Sequence, residues 1–115
     1  MEIAEWPAST LEIRRLNDLA RTAMGVASTL CVTEGVKALS QEDQSAIREK
    51  VEKFDDFSYR NDPYGEHDFG SFEHNGKTFF WKIDYYDLHM EGLSRAPEDP
   101  SRTRRVLTIM STEDY

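Results

Sequence analysis

The sequence predicts an α+β fold in which two helices pack on an antiparallel sheet of about four strands. Three observations support this class. Apolar residues recur at helical spacing in two segments, an Asn-Gly pair separates two β-rich runs, and a third β-rich run lies near the C-terminus. The 115 residues are the length of one domain. We therefore assign residues 1–115 to a single domain, in which residues 1–8 form an irregular N-terminal arm.

The first helix is predicted over residues 10–24. Its apolar positions recur every three or four residues, as one buried helix face requires: Ile13, Leu16, Leu19, Ala20, Ala23 and Met24. Ser9 and Glu12 form a capping-box pattern at its start, and Gly25 is the expected stop.

A strand and a second helix are predicted to follow. Residues 26–33 are predicted to form a strand because the segment is short and rich in β-branched residues. Gly35 indicates a bend after it. The second helix is predicted to begin at Ser40, which is a favoured N-cap residue. Its buried edge comprises Ile47, Val51 and Phe54.

The sequence His74-Asn75-Gly76-Lys77 predicts a hairpin with a two-residue type I′ turn, since Asn-Gly accepts the positive φ angles that this turn needs. The turn fixes the register of the two strands. One face of the hairpin is then the predicted core face: Phe72, Phe79, Trp81, Ile83 and Tyr85. Phe69 and Phe80 on the other face indicate partial cover by a helix or a partner. Residues 105–110 predict a final strand that is apolar on both faces and therefore central in the sheet.

The charge of the chain limits its partners. A net charge of −8 and a pI near 4.8 argue against direct binding of nucleic acid and against an anionic membrane surface, which both favour clustered Lys and Arg. The same charge permits a basic partner protein. The single cysteine, Cys31, excludes an internal disulfide framework and favours a reducing, cytoplasmic location. Its small and apolar neighbours predict a buried, inert thiol. The sequence shows no membrane-spanning apolar run and no signal-peptide pattern.

Acidic and aromatic residues are concentrated in one part of the chain. Residues 54–86 hold eleven of the thirteen aromatic side chains. Residues 54–99 hold eleven acidic and four basic side chains, a net charge of −7, which is nearly all of the charge of the chain. Two predicted loops, residues 57–69 and 88–103, lie wholly or mostly within residues 54–99. We therefore place the function there.

Several sequence strings carry a resemblance to a known family: IRRLND, TEGVKAL, FDDF, NDPYGEHDFG, KIDYYD and RVLTIM. Together they resemble a family of small bacterial proteins described only as a domain of unknown function. That family is common in proteobacteria and often lies on mobile elements. The resemblance covers residues 13–115 and implies no activity, cofactor or site residue. Its mobile-element setting implies an anti-defence or plasmid-maintenance role.

The first functional hypothesis is a non-enzymatic protein that binds a partner and needs no cofactor. Carboxylates on a loop can imitate nucleic-acid phosphates, so the partner would be a basic or nucleic-acid-binding protein. The specific version is an inhibitor of a bacterial defence system, of the anti-CRISPR or anti-restriction type. The predicted contact residues are Asp55, Asp56, Tyr59, Asp62, Tyr64, Glu66 and Asp68. The alternative interpretation of these carboxylates is a solvated acidic face. The alternative interpretation of residues 61–65 is an ordinary turn.

The second hypothesis is a small metal-dependent enzyme. The hairpin register brings residues 66–68 towards the end of the paired strand, near residues 84–89. The acid–base set would comprise His67, Asp68, Asp84 and His89, and a divalent metal would be held by His67, Asp84, Asp87 and His89. No zinc or calcium motif matches this spacing, and turn contacts are the alternative explanation. A third hypothesis is a structural homodimer formed through the hairpin face.

Overall fold

Three helices pack on one face of a four-stranded sheet, so the α+β class is confirmed. The computed structural model describes residues 6–115, and most of the predicted N-terminal arm, residues 1–5, lies outside them. The elements in chain order are α1 (Ala8–Thr22), β1 (Thr29–Val32), α2 (Glu34–Lys37), α3 (Gln41–Glu52), β2 (Phe69–His74), β3 (Lys77–Tyr86) and β4 (Arg104–Ser111). A 3₁₀ turn, Thr112–Asp114, follows β4.

The start of α1 differs from the prediction. The helix begins at Ala8, directly after Pro7, and no side chain caps its first turn, so the predicted capping by Ser9 is wrong. Pro7 explains the earlier start, because its fixed φ suits a helix N-terminus and its carbonyl accepts the N–H of Leu11 at 3.1 Å. The predicted start of the next long helix is confirmed in α3, where the Ser40 hydroxyl accepts the N–H of Asp43 at 3.0 Å.

The segment between α1 and α3 is more helical than its sequence predicts. β1 has only four residues, because the N–H groups of Val26 and Ala27 donate to the carbonyl of Ala23 and continue the turn after α1. Gly35 lies inside the short helix α2 rather than in a bend. Its N–H donates to Asp114 Oδ2 at 2.8 Å, a contact across 79 residues. A contact this distant in sequence leaves no local signal.

The strand order is β1-β4-β3-β2, which confirms β4 as a central strand. The hairpin register is also confirmed, since Phe72 pairs with Phe79 and the turn has positive φ at Asn75 and Gly76. However, β1 pairs with β4 in parallel, so the sheet is mixed and not antiparallel throughout. The chain between β1 and β4 contains α3 and the hairpin, and a connection of this length permits a parallel pair.

The core lies between the helices and the predicted core face of the hairpin. Its buried apolar members come from all three helices and from the two central strands: Ala20, Val36, Ile47, Val51, Phe79, Trp81, Ile83, Leu107 and Ile109. Phe54, Phe72 and Tyr85 pack against this cluster while remaining partly buried. The predicted core face is therefore confirmed.

The opposite side of the sheet is covered by none of the three helices, all of which bury their apolar residues in the core. We call this side the open face; the register places on it Thr29, Cys31, Phe69, Ser71, Glu73, Thr78, Phe80, Lys82, Asp84, Tyr86, Arg104, Val106, Thr108 and Met110. Tyr115 packs on Phe80 there, with ring centroids 5.3 Å apart. Cys31 is exposed, so the expectation of a buried thiol is wrong.

No helix within residues 6–115 combines the length and the apolar character needed to cross a membrane.

Candidate functional site

Residues 55–68, which we call the acidic loop, connect α3 to β2 and contain every predicted contact residue. Four of these residues are exposed: Asp55, Asp56, Tyr59 and Tyr64. Tyr59 and Tyr64 are 86% and 77% exposed, a high value for aromatic rings, whose apolar area favours burial. The other three are buried or half-buried: Asp62, Glu66 and Asp68.

The first part of the acidic loop is held by its own turn contacts. The Asn61 amide donates to the carbonyl of Asp56 at 2.6 Å, and Asn61 Oδ1 accepts the N–H of Ser58 at 2.7 Å. The N–H of Asp62 donates to the carbonyl of Ser58 at 2.9 Å. Such local bonds from Asn and Asp stabilise turns, which agrees with the turn interpretation of residues 61–65. Tyr59 therefore projects from a short, internally bonded turn.

His67 is fixed between two carboxylates. Its Nδ1 lies 2.9 Å from Asp18 Oδ1 in α1, and its Nε2 lies 3.5 Å from Asp62 Oδ2. Asp62 Oδ1 also accepts the N–H of His67 at 3.0 Å. These contacts hold the His67 backbone at a φ of 55°, which is uncommon for a residue other than glycine. Asp18 therefore holds Nδ1 by a hydrogen bond, whereas Nε2 faces Asp62 at more than the usual length of a hydrogen bond.

Arg21 and Phe57 connect this cluster to the core. The guanidinium of Arg21 is buried and donates to Asp18 Oδ1 at 3.0 Å. It lies over the rings of Phe57 and Trp81, 5.5 Å from each centroid, in a cation–π arrangement. Phe57 also stacks on the imidazole of His67, with ring centroids 3.7 Å apart. Asp18 is thus shared between Arg21 and His67, which ties the acidic loop to α1.

A second polar network centres on Asn17, which is completely buried. Its amide donates to the carbonyl of Glu66 at 3.0 Å and to the Tyr85 hydroxyl at 2.7 Å. Asn17 Oδ1 accepts from Arg105 Nε at 2.7 Å, and the Tyr85 hydroxyl donates to Glu66 Oε1 at 2.7 Å. Burial, followed by the hydrogen bond to Glu66, raises the pKa of Tyr85, and burial lowers the pKa of Arg105. The Glu66 carboxylate is therefore engaged inside the protein.

Asp68 completes the set of inward carboxylates. Burial, followed by the negative charge of Glu66, raises the pKa of its carboxyl group from the usual value. Its carbonyl accepts the N–H of Ile83 at 2.9 Å, as the extrapolated hairpin register predicts. The acidic loop therefore uses the carboxylates of Asp62 and Glu66 in its own structure, keeps Asp68 half-buried, and presents Asp55 and Asp56 to solvent.

A cleft of about 270 Å³ lies between the acidic loop and the beginning of α1. Its lining combines aromatic, charged and small residues: Trp6, Arg14, Phe57, Ser58, Tyr59, Asp62, Gly65 and His67. Arg14 Nε donates to the carbonyl of Gly65 at 2.7 Å. Trp6 lies on Gly65 so closely that an added Cβ would come within 2.6 Å of its ring, and the φ of 72° also requires glycine there. The cleft therefore has fixed walls.

The structure does not gather the predicted metal-binding residues into one site; of the predicted catalytic set, Asp68 lies within electrostatic range of Asp84. His67 lies in the cluster with α1, whereas Asp84 is on the open face and pairs with Lys82 Nζ at 3.0 Å. Asp87 and His89 line a separate cleft that contains neither His67 nor Asp84. There, Asp87 Oδ1 accepts the N–H of His89 at 3.0 Å and closes a turn. Among residues 6–115, no group of three or more His, Cys, Asp or Glu side chains could hold a metal ion.

The residues that hold the acidic loop from outside are not identified by the sequence: Asn17, Asp18, Arg21 and Arg105. For Asn17 and Arg105, however, the sequence pattern does indicate a side chain that points inward. Asn17 falls in the apolar stripe of the first helix, where a polar side chain needs a buried partner. Arg105 alternates with Leu107 and Ile109, so the two-residue period of a strand turns its guanidinium inward.

Comparison with known families identifies a family for most of the chain. The family model described as Protein of unknown function (DUF3768) matches residues 32–114, which confirms the expected resemblance to a family of unknown function. Neither the curated proteins nor the solved structures contain a match to this chain.

Proposed function

The chain belongs to the DUF3768 family of proteins of unknown function, and we propose from its own surface that it is a non-enzymatic module that binds a basic partner protein through the acidic loop. The observation that carries this proposal is the exposure of Tyr59 and Tyr64 on a loop whose backbone is fixed by hydrogen bonds.

Tyrosines in this setting are suited to anchor a partner. Tyrosine is enriched among the few residues that dominate binding energy, because it brings a large apolar ring and a polar hydroxyl with little conformational entropy to lose. A loop that is already ordered avoids much of the entropic cost of ordering an interface. The contacts made by Asn61, Asp62 and His67 provide that order.

The cleft beside Tyr59 gives the partner a place to insert a side chain. Its walls include the rings of Trp6 and Phe57, and Arg14 and Gly65 fix its outer edge. Binding sites of this kind join apolar walls to a few fixed polar groups. Tyr59 and the cleft together would form the centre of the interface.

Charge favours a basic partner. Asp55 and Asp56 are exposed on the same loop, in a protein with a net charge of −8. Complementary charge accelerates the encounter of two proteins and makes it sensitive to salt. Because Asp62, Glu66 and Asp68 are buried or half-buried, they are less available to imitate the phosphates of a nucleic acid. Two carboxylates, rather than five, face the partner, so aromatic anchoring contributes more than imitation of a phosphate series.

The narrower version of the proposal is an inhibitor of a nucleic-acid-handling protein, such as a component of a bacterial defence system of the anti-CRISPR or anti-restriction type. Its support is the exposed acidic and aromatic surface together with the resemblance to proteins of mobile elements. The basic site of such a target would be the site that normally holds nucleic acid. Added DNA or RNA should then compete with this protein for the partner.

The test uses the protein as bait in a bacterial lysate, followed by kinetics with the purified partner. Three double variants are compared with wild type: Tyr59→Ala with Tyr64→Ala, Asp55→Asn with Asp56→Asn, and the control Glu91→Gln with Glu98→Gln. The control removes the same charge as the aspartate pair from exposed positions in a different loop. Loss of the tyrosines should weaken binding at least about tenfold, mainly through faster dissociation. Loss of the aspartates should slow association.

Thermal unfolding of each variant shows whether its fold is intact. Equal affinity of wild type and the folded tyrosine variant would refute the acidic loop as the interface. A slower association of the control, equal to that of the aspartate variant, would mean that net charge and not this loop attracts the partner. A basic partner released by DNA supports the narrower version, and one that DNA leaves bound contradicts it.

A further inference from the structure

β4 is apolar on both sides of the sheet, yet helices cover only one side. Leu107 and Ile109 lie in the core, whereas Val106 and Met110 belong to the open face. Apolar residues on both faces are typical of strands in sheets that are covered on both sides. Val106 and Met110 are themselves only 7% and 4% exposed, so the apolar area that a partner could still cover comes from the half-buried rings around them: Phe69, Phe80 and Tyr86.

Aromatic rings extend this apolar surface. Phe80 lies between Phe69 and Tyr115, with ring centroids 5.4 Å and 5.3 Å from its own. Tyr115 is 79% exposed, although it packs on Phe80. A hollow of about 510 Å³ lies beside these rings, with Tyr86 and Met110 in its wall. Aromatic rings beside a hollow provide both the projection and the recess that a docking surface needs.

The charges of the strand residues on the open face cancel, since Lys82 and Arg104 lie there with Glu73 and Asp84. Lys82 Nζ lies 3.0 Å from Asp84 Oδ2, and both side chains are partly exposed. Asp114 at the rim of the hollow already accepts hydrogen bonds from Thr33 and Ser111. In a protein with a net charge of −8, a locally neutral surface is where two copies can approach with little repulsion.

We propose that a second copy of this chain docks on the open face, so that the protein is a two-fold dimer with Lys82 of each copy against Asp84 of the other. A two-fold axis between the two sheets, level with Ile83 and perpendicular to β3, exchanges these positions. The same contact then occurs twice, as in any isologous interface. The molecule extends over 42 × 40 × 22 Å, dimensions that accommodate the roughly 800 Å² per partner that a stable interface buries.

The test is a charge exchange at the two central positions. Lys82→Asp gives a protomer with two acids at this contact, and Asp84→Lys gives one with two bases. Each variant alone should dimerise at least about tenfold more weakly than wild type, because like charges then face each other. An equimolar mixture should recover dimerisation, because the two protomers are complementary. Sedimentation equilibrium measures the mass against the 13.3 kDa of the monomer.

The matched controls are Lys53→Asp and Glu49→Lys. These residues form an exposed pair at 3.2 Å on α3, away from the open face, so both controls should dimerise as wild type does. A wild type that stays monomeric at high concentration overturns the proposal and leaves the open face to another partner or a small ligand. Equal dimerisation by all four variants, or no recovery in the mixture, also overturns it.

Discussion

Asp68 is a carboxylate that opposes folding at neutral pH. Burial and the charge of Glu66 raise its pKa above the ordinary value of 3.8. A group with a raised pKa binds more protons in the folded state, so its favourable contribution is present in acid and is lost as pH rises through the folded pKa. Asp68→Asn removes the charge with little change of shape. The variant should therefore unfold at a higher temperature than wild type at pH 7, with a gain that disappears below the ordinary pKa.

Asp114→Asn is the matched control, because its expected effect on stability at pH 7 has the opposite sign. Hydrogen bonds from Thr33 and Ser111 lower the pKa of Asp114, so it stabilises the fold above the ordinary value of 3.8 and loses this contribution as pH falls through the folded pKa. This variant should unfold at a lower temperature than wild type at pH 7, with a difference that shrinks in acid. Thermal unfolding of all three proteins from pH 3 to 7 is the measurement. The same pH trend in both variants would contradict these assignments.

Asn17 is the residue on which the attachment of the acidic loop depends most. Its side chain makes three hydrogen bonds in the interior, to Glu66, Tyr85 and Arg105. Asn17→Ala leaves the Arg105 guanidinium without this acceptor and opens a small cavity. We expect the free energy of unfolding to fall by about 2–4 kcal/mol, because unsatisfied buried polar groups are costly, especially charged ones.

Urea unfolding measures this loss, and hydrogen exchange of residues 55–68 reports on the loop itself. Ser45→Ala is the control, since Ser45 is exposed on α3 and its hydroxyl accepts only a surface hydrogen bond from Arg48. A loss below about 0.5 kcal/mol for Asn17→Ala, within the range of an ordinary surface substitution, would show that the network does not hold the loop.

At the scale of single elements, the two long helices differ in how they begin. The Ser40 hydroxyl caps α3, whereas Ser9 lies inside α1 and caps nothing. Ser40→Ala should therefore lower the free energy of unfolding by about 1 kcal/mol, and Ser9→Ala should change it by only a few tenths. Urea unfolding of the two variants compares them directly. An equal loss in both would mean that α1 begins at its sequence signature rather than after Pro7.

The sequence predicts well those elements that are determined by residues within the element itself. The Asn75-Gly76 turn fixes the hairpin, and the alternation of Phe79, Trp81 and Ile83 fixes its core face. In contrast, α2 and the parallel pairing of β1 depend on distant contacts. The N–H of Gly35 bonds to Asp114, and Thr29 pairs with Val106. No pattern within either segment encodes such a partner.

The same distinction applies to the candidate site. The position of the acidic loop and the exposure of Tyr59 follow from local turn residues. The direction of each carboxylate does not, because Asp62 is turned inward by His67, which is itself held by Asp18 in α1. Glu66 is likewise engaged by Tyr85, which lies 19 residues further along the chain. The sequence of the loop contains five carboxylates, and only tertiary contacts decide which of them face solvent.

At the scale of the whole molecule, the two proposed interfaces differ in their electrostatics. The acidic loop presents Asp55 and Asp56 beside exposed tyrosines, so it relies on attraction between opposite charges. The open face combines half-buried aromatic rings with charges that cancel, among them the ion pair of Lys82 with Asp84. Two copies that meet there carry −8 each, and their overall repulsion opposes the contact.

Salt should therefore act in opposite directions on the two interfaces. The screening length falls from about 30 Å at 0.01 M salt to about 8 Å at 0.15 M. Over this range the dimer should become tighter, because the repulsion between two acidic copies is screened while the buried pairs of the open face are screened less. Binding of a basic partner should become weaker, because its attraction to the acidic loop is screened. Sedimentation equilibrium and association kinetics in the same buffers measure both effects. A dimer that weakens with salt would mean that charge attraction, rather than the apolar area of the open face, joins the two copies.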